Sequence, residues 1–190
     1  MIEVVAPVVG RSGVERVHTE LANGLPGYLV LPISPWRSVS APTVRVALGD
    51  APIVHSVPEL GGFGIPHGRV LVTTFHGFNL DNQALQQASK LQRLFYRYLV
   101  ERYVRRALSK SLVITAVSAY IATVVEQHLG VSPQIIPNGV DLKRFRPCNR
   151  DVSDGRMRVL FAGNPRRQKG IELVSQLAIE LKDCCEFLFA

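Results

Sequence analysis

Eight residues, Gly163-Asn164-Pro165-Arg166-Arg167-Gln168-Lys169-Gly170, put three cations in a glycine-bounded loop between a strand-like run and a helical pattern. Backbone amides at a helix start, with cations beside them, suit a diphosphate because both place positive potential around phosphate oxygens. The loop is not a P-loop, since Gly170 rather than Ser or Thr follows Lys169 and the glycine spacing is wrong. Its plain alternative is a solvated basic loop. A second phosphate-tolerant turn is Val9-Gly10-Arg11-Ser12-Gly13, but Ser12 stands where a dinucleotide fingerprint needs its second glycine, so an NAD role loses its main support. Ser12 and Glu15 also have capping-box spacing, and a simple helix cap is the competing reading of that turn. His76 stands alone at the end of a strand-like run, where a structural role is the ordinary one, and His18, His67 and His128 lack metal-ligand spacing and read as structural or surface residues. No D-x-D motif is present, and neither a metal nor a cofactor is expected.

The elements that would hold these residues alternate. IEVVAPV precedes VERVHTELANGL, IVHS precedes a Gly-rich loop, RVLVTTF precedes a long helical region, and SLVITAV precedes SAYIATVVEQHLG. Such order predicts an α/β fold, a Rossmann-like doubly wound parallel sheet. Ser12 and Ser118 are placed to start helices, and Gly130 to end one. RPCNRDVSDG, residues 146–155, is polar and turn-rich, which divides the chain into domains 1–150 and 151–190. The second begins at MRVLFAG and reads as a truncated β-α-β unit, with Val174, Leu177, Ala178 and Leu181 on one helix face. A unit of that size leaves a sheet edge and apolar surface unprotected, which favours aggregation, disorder after about residue 155, or pairing with another chain.

Composition is that of an ordinary globular protein, with 47% hydrophobic and 19% charged residues. Three cysteines, two of them the neighbours Cys184 and Cys185, form neither a disulfide framework nor a metal-ligand pair, which points to a reducing, cytoplasmic compartment. The net charge of +7 belongs to residues 1–150. Between Lys90 and Lys110, Arg93, Arg97, Arg102, Arg105 and Arg106 are opposed only by Glu101. In that stretch Leu91, Leu94, Phe95, Tyr98 and Leu99 share a stripe, and beyond Val100 the apolar phase turns, which predicts a kink or two helices around residue 100. The arginines, with aromatic residues between them, suit an anionic membrane surface at the inner face of the membrane; the plainer reading is a helix that covers the sheet and keeps its charges in water.

Taken in order, the segments resemble the retaining glycosyltransferases of family 4, which have two Rossmann-like domains in the GT-B arrangement. Gly13-Val14-Glu15-Arg16-Val17 resembles the family's Gly-rich loop and first helix, Ile53-Val54-His55-Ser56 its strand ending in His, and Val72-Thr73-Thr74-Phe75-His76-Gly77 its strand ending in His-Gly. Val113 to Ser118 is similar to its strand ending in Ser; Ile136-Pro137-Asn138-Gly139-Val140-Asp141, Phe145, Pro147, Phe161-Ala162-Gly163 and Lys169-Gly170 complete the set. The resemblance implies a nucleotide-sugar donor bound by the second domain, an acceptor bound by the first, and metal-independent transfer between them. It also implies that His76 contacts the donor sugar, that Gly13, Lys169 and Arg166 or Arg167 handle the diphosphate, and that Asn138 and Gly139 form the turn between domains. The chain departs from the family at Asn164, where an Arg is common, and at Ser12, where a Gly is common. The family's paired-Glu motif is also missing, so residues 1–190 are expected to be inactive alone and to need the remaining C-terminal domain or another chain. A non-catalytic basic module for nucleic acid or membrane is the rival reading; no helix-turn-helix, zinc or RNA-recognition signature favours nucleic acid.

Overall fold

The computed structural model describes residues 3–10, 12–34, 48–61, 65, 68–81, 85–86, 88–147, 156–163, 165 and 169–190. They form two compact units, Met1–Gly139 and Val140–Ala190. The boundary expected near residue 150 falls outside the described residues.

The first unit is built on six parallel strands: β1 (Val4–Val9), β2 (Tyr28–Ile33), β3 (Ile53–Ser56), β4 (Val70–Phe75), β5 (Ser111–Ala116) and β6 (Gln134–Ile135), in the order β2-β1-β3-β4-β5-β6. The fold is a Rossmann-like α/β sheet. β2 goes beyond the strands picked out in the sequence; it carries an exposed Pro32, which an edge strand tolerates because one side of its backbone needs no partner. β1 pairs with β2 from Val4↔Tyr28 to Val9↔Ile33, but with β3 only at Val4↔Ile53 and Val5↔Val54. The far halves of β1 and β3 therefore part, and because β2 and β3 lie on opposite sides of β1, the gap is a topological switch point where α/β sheets bind ligands.

Helix α1 (Gly13–Gly24) starts where Ser12 Oγ accepts the Glu15 amide at 3.2 Å, and α5 (Ala119–Leu129) where Ser118 Oγ accepts the Ile121 amide at 3.3 Å. Gly130, at φ 69°, ends α5 in the left-handed region expected of it. Between them lie α2 (Pro58–Gly61), α3 (Lys90–Phe95), a π-helical turn at Tyr96–Val100, and α4 (Glu101–Leu108). The predicted break near residue 100 is this turn: the Glu101 amide donates to Tyr96 O, five residues back, which inserts one residue and rotates everything after it. No residue of α3 is buried, whereas Val100, Val104 and Ala107 are. Only the far half of this helical run thus contributes buried side chains to the domain. Val5, Val54, Leu71 and Ala107 form one core cluster, and Phe75, Val100, Val104, Ala116 and Val125 anchor another. Burying each large side chain is worth about 1.5–3 kcal/mol, which fixes the strand ends that carry the site.

The second unit pairs β7 (Met157–Phe161) with β8 (Cys185–Phe189) in parallel through α6 (Ile171–Glu180), the β-α-β unit read from the sequence. Arg158 Nε and Glu186 Oε2 meet at 2.8 Å across that ladder. None of its described residues is buried. No helix among the described residues is long and apolar enough to cross a membrane.

Candidate functional site

Where β1 and β3 part, a cavity of about 490 Å³ opens, walled by Val9 at the end of β1, Ser12 and Val14 after it, Val57–Leu60 after β3, and His76, Gly77 and Asn79 after β4. Phe95, Tyr96, Val100 and Tyr103 close it, drawn from both sides of the π-helical turn. Most of the wall is apolar, with a few polar groups set into it, as in small-molecule sites. Glu59 is held by Asn79, whose Nδ2 donates to Glu59 Oε1 at 3.2 Å. Burial raises the Glu59 pKa, while a backbone hydrogen bond and the Asn79 donor pull the other way.

His76 Nε2 is buried and has no hydrogen-bond partner among the described residues. Burial lowers its pKa, so the ring is neutral at neutral pH. Behind it lies a polar chain. Thr115 Oγ1 meets Thr74 Oγ1 at 2.7 Å, Thr74 Oγ1 meets His55 Nε2 at 2.7 Å, and the Tyr28 hydroxyl lies 2.6 Å from both His55 Nδ1 and His18 Nδ1. His18 is fully buried, its ring centre 4.6 Å from that of His55 and 5.5 Å from that of His76. By the pleat, Ala6 shares the sheet face of His55, and its short side chain leaves room for the rings. Burial, then the neighbouring His55 and His76, lowers the His18 pKa to about 3; burial, then His76, lowers that of His55 to about 4. Tyr28 is pushed up by burial. With one hydroxyl hydrogen, Tyr28 donates to one Nδ1 and accepts from the other, so the two imidazoles take opposite tautomers. Among the described residues no group of three or more His, Cys, Asp or Glu side chains is placed to hold a metal ion.

Of the residues picked from sequence, His76 lines the cavity. Gly13 is the exposed first residue of α1, and open space surrounds the position of a Cβ there, so no protein atom demands glycine. Lys169 is exposed in the second unit, just before Gly170 at φ 75°, while Arg166 and Arg167 lie outside the described residues. Asn138 and Gly139 are exposed and irregular after β6. Arg93, Arg97, Arg102, Arg105 and Arg106 are exposed; Arg105 is tied to Glu101 at 2.8 Å. Glu59, the place of the aromatic residues in the cavity wall and the His18–Tyr28–His55 array escaped the sequence reading. A carboxylate straight after the third strand, in Val57-Pro58-Glu59, is the signal that pointed to one of them.

A doubly wound parallel sheet with a mostly apolar cavity at its switch point defines a Rossmann-like small-ligand domain. Residues 26–144 match the model of Glycosyltransferase Family 4, a span that holds β2 to β6 and most of the cavity wall. The chain belongs to that family, which supports a function of glycosyltransferase type. No curated protein matches it.

Proposed function

We infer that residues 1–139 form the acceptor side of a retaining, metal-independent glycosyltransferase of GT-B type, using a nucleotide-sugar donor. The observation that supports this most is the cavity, whose wall holds both the Glu59 carboxylate and a neutral His76 imidazole with a ring nitrogen that has no partner among the described residues. Glu59, steadied by Asn79, accepts a hydrogen bond from a neighbouring hydroxyl of the acceptor, not the attacking one, and so orients it. His76 Nε2 bonds a hydroxyl of the donor sugar. The bond from the sugar's anomeric carbon to phosphate breaks, the bond to the acceptor oxygen forms on the same face, and the acceptor proton passes to the departing phosphate oxygen. In the second unit, Lys169 with Arg166 or Arg167 stabilises the charge that gathers on the leaving diphosphate. Efficient turnover by residues 1–190 alone is not expected on this reading, and among the described residues of the second unit none is buried.

Titration of the chain with a panel of nucleotide sugars and their nucleoside diphosphates tests the reading. His76→Gln should weaken the sugar nucleotide by about tenfold, the worth of one hydrogen bond, and leave the diphosphate unchanged. Salt-dependent binding of random oligonucleotides, with no binding of nucleotide sugars, would establish the basic-module rival instead. Efficient sugar transfer by residues 1–190 alone would refute the inactivity expected here.

A further inference from the structure

The first half of the basic helical run has no buried residue. Its start is fixed by a complete capping box, Ser89 Oγ accepting the Gln92 amide at 3.3 Å and Gln92 Oε1 accepting the Ser89 amide at 3.0 Å. Leu91, Leu94, Phe95 and Tyr98, at helical spacing, are nonetheless 78, 58, 41 and 74% exposed. Leu91, Leu94 and Tyr98 leave most of their apolar surface in water, where it adds nothing to stability. Lys90, Arg93 and Arg97, all exposed, recur along one flank of that stripe. Arg93 Nε donates to Ala88 O, which holds its guanidinium close to the helix start. Phe95 belongs both to the stripe and to the cavity wall, and Tyr96 follows it there, so the exposed face runs directly into the cavity that holds Glu59 and His76.

We propose that α3 and the π-helical turn dock on an anionic membrane surface, and that the cavity takes its acceptor from that surface as a lipid-borne hydroxyl. The stripe inserts among the acyl chains while the flanking cations meet anionic headgroups, the division of labour of an interfacial helix. The sequence had offered Arg102, Arg105 and Arg106 for this role together with Arg93 and Arg97. The geometry moves the docking face towards the amino end, because Arg105 is engaged with Glu101 and the far half of the run is packed against the domain. The lipid acceptor rests on the glycosyltransferase reading above; the docking does not.

Co-sedimentation of the 190-residue chain with phosphatidylcholine vesicles, with and without phosphatidylglycerol, tests the docking without any turnover. Binding is expected only to the anionic vesicles and should weaken with salt. Arg93→Gln with Arg97→Gln should lower the partition coefficient about twenty-five-fold, at about fivefold per charge. Leu91→Gln with Leu94→Gln should abolish binding while leaving the circular dichroism unchanged, since neither side chain packs in the core. A Tyr98→Trp reporter should gain blue-shifted emission, relative to the parent chain, that brominated lipid quenches. Equal binding to neutral vesicles, indifference to the leucine variants, or an unquenched reporter overturns the docking. A dimer in sedimentation velocity that the leucine variants dissolve overturns it in favour of a second copy of the chain. For the acceptor class, decyl maltoside below its micelle concentration should shift the resonances of Glu59 and Tyr103 where maltose does not. Equal effects of the two sugars remove the lipid acceptor and leave the docking standing, and transfer to a soluble acceptor without vesicle binding removes the docking and leaves the transferase reading standing.

Discussion

His18, His55 and His76 lie together in the folded chain, and their low pKa values commit the protein to one direction of pH dependence. Each folded value sits below the ordinary 6.5, so above about pH 6.5 their contribution is fully present, and as pH falls the unfolded chain takes up protons that the folded one refuses. His18 and His55 resist until about 3 and about 4. Each then costs up to about 1.4 kcal/mol per pH unit below the unfolded value. Glu59 works the other way, because its raised pKa lets the folded form take its proton first. Urea unfolding from about pH 7 to about pH 5 should show falling stability, and His18→Leu should flatten that slope. A slope identical in parent and variant would show that His18 is not held neutral. None of this was legible beforehand: three histidines spread from residue 18 to residue 76 show no spacing, and a β-α-β crossover with two further strands brings them together.

At the scale of elements, the cavity wall depends on how closely α2 meets α4. A Cβ on Gly61 would sit 3.3 Å from Ala107 Cβ and 3.3 Å from Leu71 Cδ2, tighter than ordinary contact. Gly61→Ala should therefore lower stability by about 1 kcal/mol in chemical unfolding, although alanine suits a helix better than glycine. Unchanged or higher stability would show that α2 is not clamped there, and Glu59, two residues earlier, would lose its rigid mounting. The caps at Ser12, Ser118 and Gly130 were readable because capping is local chemistry among residues within four positions. The turn of phase near Val100 was readable too, from where the apolar residues shift. Its form was not, since a kink, a break and a π-helical turn share one pattern, and only the hydrogen bond from Glu101 to Tyr96 distinguishes them.

For the whole molecule, the two units differ in what holds them. The first has a six-stranded sheet with core clusters, whereas the second pairs two strands and a helix without burying a described residue. A two-stranded sheet is marginal by itself. Amide hydrogen exchange should thus be faster in β7 and β8 than in β4 and β5, by about two orders of magnitude. Equal protection in both sheets would mean that the second unit is stabilised by contacts absent from this description.

The sequence by itself determined the parallel α/β plan, the helix caps, the glycine-bounded loops and the family, because alternation, capping and ordered motifs are written in near neighbours. Tertiary structure decided the site. Where β1 and β3 part, which carboxylate stands in the gap, which histidine reaches the cavity wall, and which side of a basic helix stays in water all depend on strand order and on one inserted helical residue. Those are relations between positions far apart in the chain, and local pattern carries no record of them.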